Sequence, residues 1–146
     1  MTNCIRFVWM KEGGVAVRVL YIGEGEDGRI PSFLQKEGHN IEVRKEAEAV
    51  DLLIGIGVSP TLALFTLYQL GRAVVIEQGV SSLTLTQAIR NVSATMPIVY
   101  VVWSAKDIGE MLLALDGAGA DSVIFGDEPE ALVLARFNAC VRRVLA

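Results

Sequence analysis

The chain has 146 residues, 52% of them hydrophobic and 21% charged, with a formal net charge of -4. That length suits one domain with a substantial core, and the acidic balance argues against a grip on nucleic acid driven by this segment's own charge. The two cysteines, Cys4 and Cys140, have neither C-x-x-C nor Cys/His spacing; they read as free thiols of a reducing compartment, which places the chain in the cytoplasm.

Residues 1–14 read as an N-terminal arm and 15–146 as one domain. The start, MTNCIRFVWMKEGG, has no long apolar run before a small-residue cleavage site, so a secretory signal is not expected. Residues 5–10, the turn at 11–14 and the run from Val15 have a β-hairpin pattern. The arm then pairs with a sheet edge, exchanges with another subunit, or frays as a tail, and Trp9 is its candidate contact residue.

Residues 15–22 (VAVRVLYI) predict a strand covered on both faces. In the next segment Ile30, Phe33 and Leu34 share a helical face, with Gly38 as a stop, and residues 39–44 predict a second strand. Residues 46–71 hold more chain than one helix needs. Either 51–56 form an extra strand and 60–70 a helix, or 46–54 form a helix followed by another. Gly55 and Gly57 favour the extra strand. Residues 52–71 are uncharged and long enough to span a bilayer, yet glycines and the helix start Ser59-Pro60 interrupt them, which favours buried elements.

Further on, 73–78 and 98–103 predict buried strands around a helix marked by Leu85, Ala88, Ile89 and Val92. Ile108, Met111, Leu112 and Leu115 mark the next helix, and 123–125 the last strand. The final helix carries Val133, Phe137, Cys140, Val141 and Val144 inward. Trp103 is assigned to the core because its strand is apolar, and Cys140 reads as a buried structural thiol. His39, the single histidine, reads as a loop or strand-edge residue. Strands alternating with helices define an α/β domain. We expect a doubly wound, mainly parallel five-stranded sheet with helices on both faces, an insertion around 46–71 and the N-terminal β arm.

From Pro97 onward the chain reads PIVYVVWSAKDIGEMLLALDGAGADSVIFGDEPEALVLARFNACVRRVL. This stretch resembles the second half of a response-regulator receiver domain of the CheY-like family, with GAGAD its most specific piece, and KEGHNIEV resembles the end of the first helix entering the second strand. The resemblance implies a flavodoxin-like fold and places the family's phosphorylation site on this chain. The acidic pair after the first strand falls on Gly23 and Glu24, and the phosphate-accepting aspartate on Glu77. The switch hydroxyl falls on Ser104, within reach of Glu77, the switch aromatic on Val123, and the phosphoryl-binding lysine on Gly126. If the insertion held the third strand instead, Ile56 would fall near the acceptor position. In either register the family's aspartyl chemistry lacks its residues.

We therefore expect a degenerate pseudo-receiver: a noncatalytic module of a signal-transduction, two-component or transcription-regulatory system. It would act by protein contact or dimerisation through the family's fourth helix, fifth strand and fifth helix. On that surface the candidate residues are Asp107, Glu110, Met111, Asp121, Arg136 and Arg143. The end VRRVLA is the kind from which a DNA-binding domain continues in many relatives of the family. No cofactor is expected, and no metal, with Glu24 and Glu77 the metal candidates if one binds. Glu26 and Asp27 lie beside them, and a solvated acidic loop is the plainer reading. The alternatives are a small metal- or nucleotide-binding α/β enzyme, disfavoured for nucleotides because the acids of GEGEDG would repel phosphate, and a divergent phosphorylatable response regulator.

Overall fold

The computed structural model describes residues 10–11, 14–24, 28–104 and 106–145. Two short antiparallel strands, β1 (Met10–Lys11) and β2 (Gly14–Val15), pair Met10 with Val15 and Lys11 with Gly14. The expected hairpin is thus present as two residue pairs. They form a sheet of their own, unpaired with the edge of the main one. Cys4 and Trp9 lie outside the described residues.

The main chain path runs β3 (Arg18–Ile22), α1 (Arg29–Lys36), β4 (Asn40–Arg44), α2 (Glu46–Leu53), α3 (Pro60–Leu70), β5 (Ala73–Glu77) and α4 (Ser82–Val92). It continues through β6 (Ile98–Val102), α5 (Ile108–Leu112), a π-helical extension of α5 (Leu113–Ala118), β7 (Ser122–Phe125) and α6 (Glu130–Leu145). The five long strands pair in parallel in the order β4-β3-β5-β6-β7. Helices lie on both faces, as the doubly wound α/β expectation requires.

Period-two alternation divides the strands between two cores. Leu20, Ile22, Val74, Ile76, Ile98, Tyr100 and Val102 face one layer, where they meet Ala49 and Leu53 of α2, Leu67 of α3, Leu85 and Ile89 of α4, and Ala114. Val19, Tyr21, Ala73, Val75, Val99, Val101 and Ile124 face the other, against Ile30 and Leu34 of α1 and Val133, Phe137, Cys140 and Val141 of α6. Burial pushes the Cys140 thiol up to about 11, consistent with an inert packing group.

Two sequence expectations fail here. The extra strand at 51–56 does not form; residues 46–53 are helical, and β4 remains a sheet edge. The reason is local. Glu48 accepts the Lys45 N–H (3.0 Å) in a capping box, Glu46 and Glu48 suit the positive helix start, and the helix closes at Ile54, before either glycine. Ser59 then caps α3 by accepting the Leu62 N–H (3.2 Å), with Pro60 in the first turn. Among the described residues no helix is long and apolar enough to cross a membrane.

The second failure concerns α5. Its sequence stripe of Ile108, Met111, Leu112 and Leu115 is split, because Ala114 and Ala118 are the buried positions, with Met111 and Leu115 partly buried beside them. The small alanines let this helix lie close to its neighbours, which turns Ile108, Leu112 and Leu113 outward. Gly119, at φ +92°, ends the segment in a left-handed conformation that other residues seldom adopt.

Asp121, the acid of GAGAD, ties the chain before β7 to the start of β6 and to α4. One carboxylate oxygen accepts both the Ile98 N–H (2.8 Å) and an Arg90 N–H (2.8 Å), while Arg90 also donates to the Gly119 carbonyl (2.9 Å). Arg143 approaches the other oxygen only to 3.9 Å and is mostly exposed. Asp121→Ala should therefore cost about 2 kcal/mol by losing two hydrogen bonds to a charged, part-buried group. Arg143→Ala should stay within about 0.5 kcal/mol. Urea denaturation of both variants checks the contrast, and equal losses would refute it.

Candidate functional site

In a doubly wound sheet the ligand crevice lies beyond the carboxyl ends of the strands, where the connections diverge to opposite faces. Here that point is between β3 and β5, and it settles the register: β5 pairs with β3, so Glu77 and not Ile56 ends the strand beside it. The ladder continues one residue past each strand. Gly23 N–H donates to the Arg44 carbonyl (3.0 Å), Gln78 N–H to that of Val101 (2.8 Å), and Gly126 N–H to that of Val102 (2.9 Å). Gly23, Glu77 and Gly126 consequently lie along this edge, with Glu24 and Ser104 within two residues of the ends of β3 and β6.

Glu77 is only 7% exposed. A carboxylate taken from water needs hydrogen-bond donors in return. Tyr21, reaching up from the core face of β3, donates its hydroxyl to Oε2 in a short bond, and the Glu24 N–H donates to Oε1 (3.1 Å). The side chain lies directly over Gly23: a Cβ there would fall 2.5 Å from Cδ of Glu77 and closer still to Oε1. The missing acid and the lengthened one are therefore a steric pair. Glu46, from the first turn of α2, covers Gly79 in the same way, with Oε2 2.5 Å from the Cβ position.

These residues and Gln78 line a crevice of about 80 Å³. A receiver-type Mg2+ wants several free oxygens. Gly23 brings no side-chain oxygen and both Glu77 oxygens already accept protein donors, while Glu24 and Glu46 also line the crevice. Among the described residues no group of three or more His, Cys, Asp or Glu is gathered to hold a metal. Glu26 and Asp27 lie outside the described residues.

The glycines at 23, 25 and 28 fall in G-x-G-x-x-G spacing between β3 and α1. Glu77 blocks the first of them. Arg29, at the helix start, is bonded to the Gly126 carbonyl (2.6 Å) and, by a short bond, to that of Glu128. A phosphate approaching Gly23 would meet the Glu77 carboxylate there.

The other half of the edge overturns the assignment of Trp103 to the core. Its residue is 45% exposed, and its indole lies across Gly126, where a built Cβ would meet Cζ3 at 2.5 Å and Cε3 closer still. β6 ends at Val102, so Trp103 escapes the two-sided burial that its strand pattern implied. The indole fills the space in which a lysine at 126 would begin. Ser104 is exposed, and its Oγ accepts the Lys106 N–H (3.2 Å) rather than reaching Glu77.

Polar residues that the sequence reading missed bind this edge to α5. Gln78 accepts the Trp103 N–H at Oε1 (3.1 Å) and donates from Nε2 to Asp107 Oδ2 (3.0 Å). Asp107 caps α5 through Oδ1, which accepts the Glu110 N–H (3.1 Å). The buried Tyr100 hydroxyl donates to Glu110 Oε2 (2.5 Å) and lies 2.6 Å from Ser82 Oγ, which in turn bonds Gly79 at both N and O (2.9 Å each). Burial, helped by the Glu110 hydrogen bond, pushes the Tyr100 phenol well above its usual range, so it remains a donor. A tyrosine inside an otherwise apolar strand is the signal for such a network, since its hydroxyl demands a partner.

Of the proposed surface residues, Asp121 is tied inward as described. Arg136 donates to the Val123 carbonyl (3.1 Å) and to Glu128 Oε1 (2.5 Å). Asp107 and Glu110 cap and brace α5, Met111 is partly buried, and Arg143 is exposed. His39 is buried, with Nδ1 accepting the Val17 N–H (3.1 Å) and its ring edge-on to Phe137 at 4.9 Å.

No family model matches the chain, and no curated protein does. Solved structures do. A two-component response regulator from Clostridium difficile superposes with a TM-score of 0.63 at 23% identity, covering 88% of this chain and 98% of that one. The receiver domain of NtrX from Brucella abortus gives 0.61 at 19% identity, over 85% and 98%. A CheY-like receiver domain protein from Methanospirillum hungatei gives 0.63 at 12%, over 89% and 97%. Against longer NtrX chains this one covers only 27% of their length. The fold is that of the receiver domains of two-component response regulators.

The steric pairing of Gly126 with Trp103 has a measurable consequence. Gly126→Ala should destabilise the protein by about 1–3 kcal/mol through overpacking. In a Trp103→Ala background the same change should cost almost nothing, a coupling that a double-mutant cycle by urea denaturation reads directly. An undiminished cost without the indole would show that the collision is not the constraint.

Proposed function

We propose that the chain is a noncatalytic pseudo-receiver, a regulatory module that acts through protein contact without forming an aspartyl phosphate. The observation that carries this reading is the occupied site: the Trp103 indole fills the lysine's space over Gly126, and the Glu77 carboxylate fills that of the first acid over Gly23. In-line transfer to Glu77 would require an approach path and a charge partner at those two places. The competing reading, a divergent phosphorylatable receiver, has in its favour the carboxylate at the end of β5.

For the contact surface we favour the outward face of α5 over the wider set of charged candidates. Ile108, Leu112 and Leu113 are 56%, 50% and 55% exposed, and Trp103 adjoins them in sequence. A helix of a soluble domain normally turns polar residues outward, so this face reads as an interaction site. Lys106 precedes the helix and Asp116 follows these residues, so two copies meeting antiparallel would set opposite charges across a self-complementary contact. One helix face offers less than the roughly 800 Å² per partner of a standard interface, which implies a weak homodimer or one arm of a larger assembly. A cytoplasmic role in signalling or transcription control accords with this reading.

Incubation with Mg2+ and acetyl phosphate should leave the intact mass unchanged, and beryllofluoride should produce no saturable amide shifts at Glu24, Glu77 or Ser104. A gain of one phosphoryl group on an acidic residue would favour the phosphorylatable reading. Sedimentation over a concentration series should show self-association that Ile108→Glu with Leu112→Glu abolishes. A strict monomer at every concentration removes the homodimer.

A further inference from the structure

We infer that Gln78 is a permanent latch that fixes the start of α5, in place of a hydroxyl that switches. The residue sits one position past β5, anchored by its own N–H on the Val101 carbonyl (2.8 Å), and its side chain crosses to the connection between β6 and α5. There it makes two bonds of opposite sense: Oε1 accepts from the Trp103 backbone and Nε2 donates to Asp107 Oδ2. The amide orientation is dictated by these partners, since a backbone N–H only donates and a carboxylate only accepts. Both ends of the 103–107 connection are thereby held by one side chain.

Each end is itself a point of control. Trp103 carries the indole seated on Gly126, and Asp107 caps α5. A second tether, Tyr100 to Glu110, reaches the same helix turn from the core. Ser104 lies between the latched ends with its hydroxyl on Lys106 N–H, so the latch does not pass through it. Gln78 has no titratable group and no covalent chemistry at ordinary pH, and its side-chain bonds go to Trp103 and Asp107. The helix is therefore held in one orientation continuously, with its apolar face turned outward. That consequence rests on α5 being the contact surface; the latch itself does not.

Exchanging the roles of the two partners tests it. Gln78→Glu keeps an acceptor for the Trp103 N–H but sets a second carboxylate against Asp107. In that variant the amides of Trp103 and Glu110 should exchange with deuterium about tenfold faster or more, as expected for losing a charge-assisted bond. Adding Asp107→Asn restores the pair with donor and acceptor reversed, because the asparagine amide donates to the carboxylate introduced at position 78 while its oxygen still caps α5. The double variant should return both rates to within about twofold of the native protein. In a Trp9→Phe background, the emission of Trp103 should shift red in the single variant and recover in the double one. Unchanged exchange in Gln78→Glu, or no recovery in the double variant, overturns the latch. Exchange is read on the protein alone, so a monomeric protein with the full exchange pattern would remove the homodimer and leave the latch standing.

Discussion

Where β3 and β5 end side by side, a carboxylate sits almost out of contact with water, and much of the surrounding edge follows from its needs. Glu77 has to be given donors, which come from the Tyr21 hydroxyl and the Glu24 backbone. To lie between them its side chain must fold back over Gly23, where no Cβ fits. An aspartate at 77 would stop one methylene short of that position. The identities at 21, 23 and 77 are thus coupled by geometry, and the acid's reach removes the room in which a second acid would stand.

The opposite half of the edge is governed by an apolar counterpart. The Trp103 ring lies on Gly126, while Arg29 ties the carbonyls of Gly126 and Glu128 to the start of α1. These contacts close the gap between the two faces of the sheet without using a charge at 126. Behind them, Gln78 and Tyr100 donate to the carboxylates of Asp107 and Glu110 at the start of α5. Both donors keep their protons through the ordinary pH range, since an amide does not titrate there and burial holds the Tyr100 phenol protonated.

The parallel sheet was legible because both its faces are buried: runs such as VAVRVLYI and IVYVVW have no polar side to hide. The neighbourhood of the strand ends was legible too, because order and spacing along the chain place Gly23, Glu77 and Gly126 at or next to the ends of β3, β5 and β7. What the linear pattern could not convey was the direction taken after a strand's last residue. Trp103 looked like core while lying one step beyond β6, and the α5 stripe looked inward until Ala114 and Ala118 proved to be the packed positions. Residues 46–53 misled for another reason: glycines at 55 and 57 were weighed against a helix that had already ended at its cap. Side-chain bonds such as those of Gln78 depend on partners 25 and 29 residues away, which no local pattern encodes.

Gly23 and Gly126 have the same relation to their neighbours, and this bears on what the site is able to do. Each glycine lies beneath a large side chain from the end of an adjacent strand, Glu77 in one case and Trp103 in the other. Restoring an acid at 23 or a lysine at 126 would drive a Cβ into that side chain, at a cost set by overpacking. Neither position is therefore an open slot awaiting its family residue; each is a floor already built upon. An acid at 23 or a lysine at 126 would need its covering side chain to change with it. The glycine at 126 accordingly reads as half of a packing contact, completed by an indole that is itself 45% exposed.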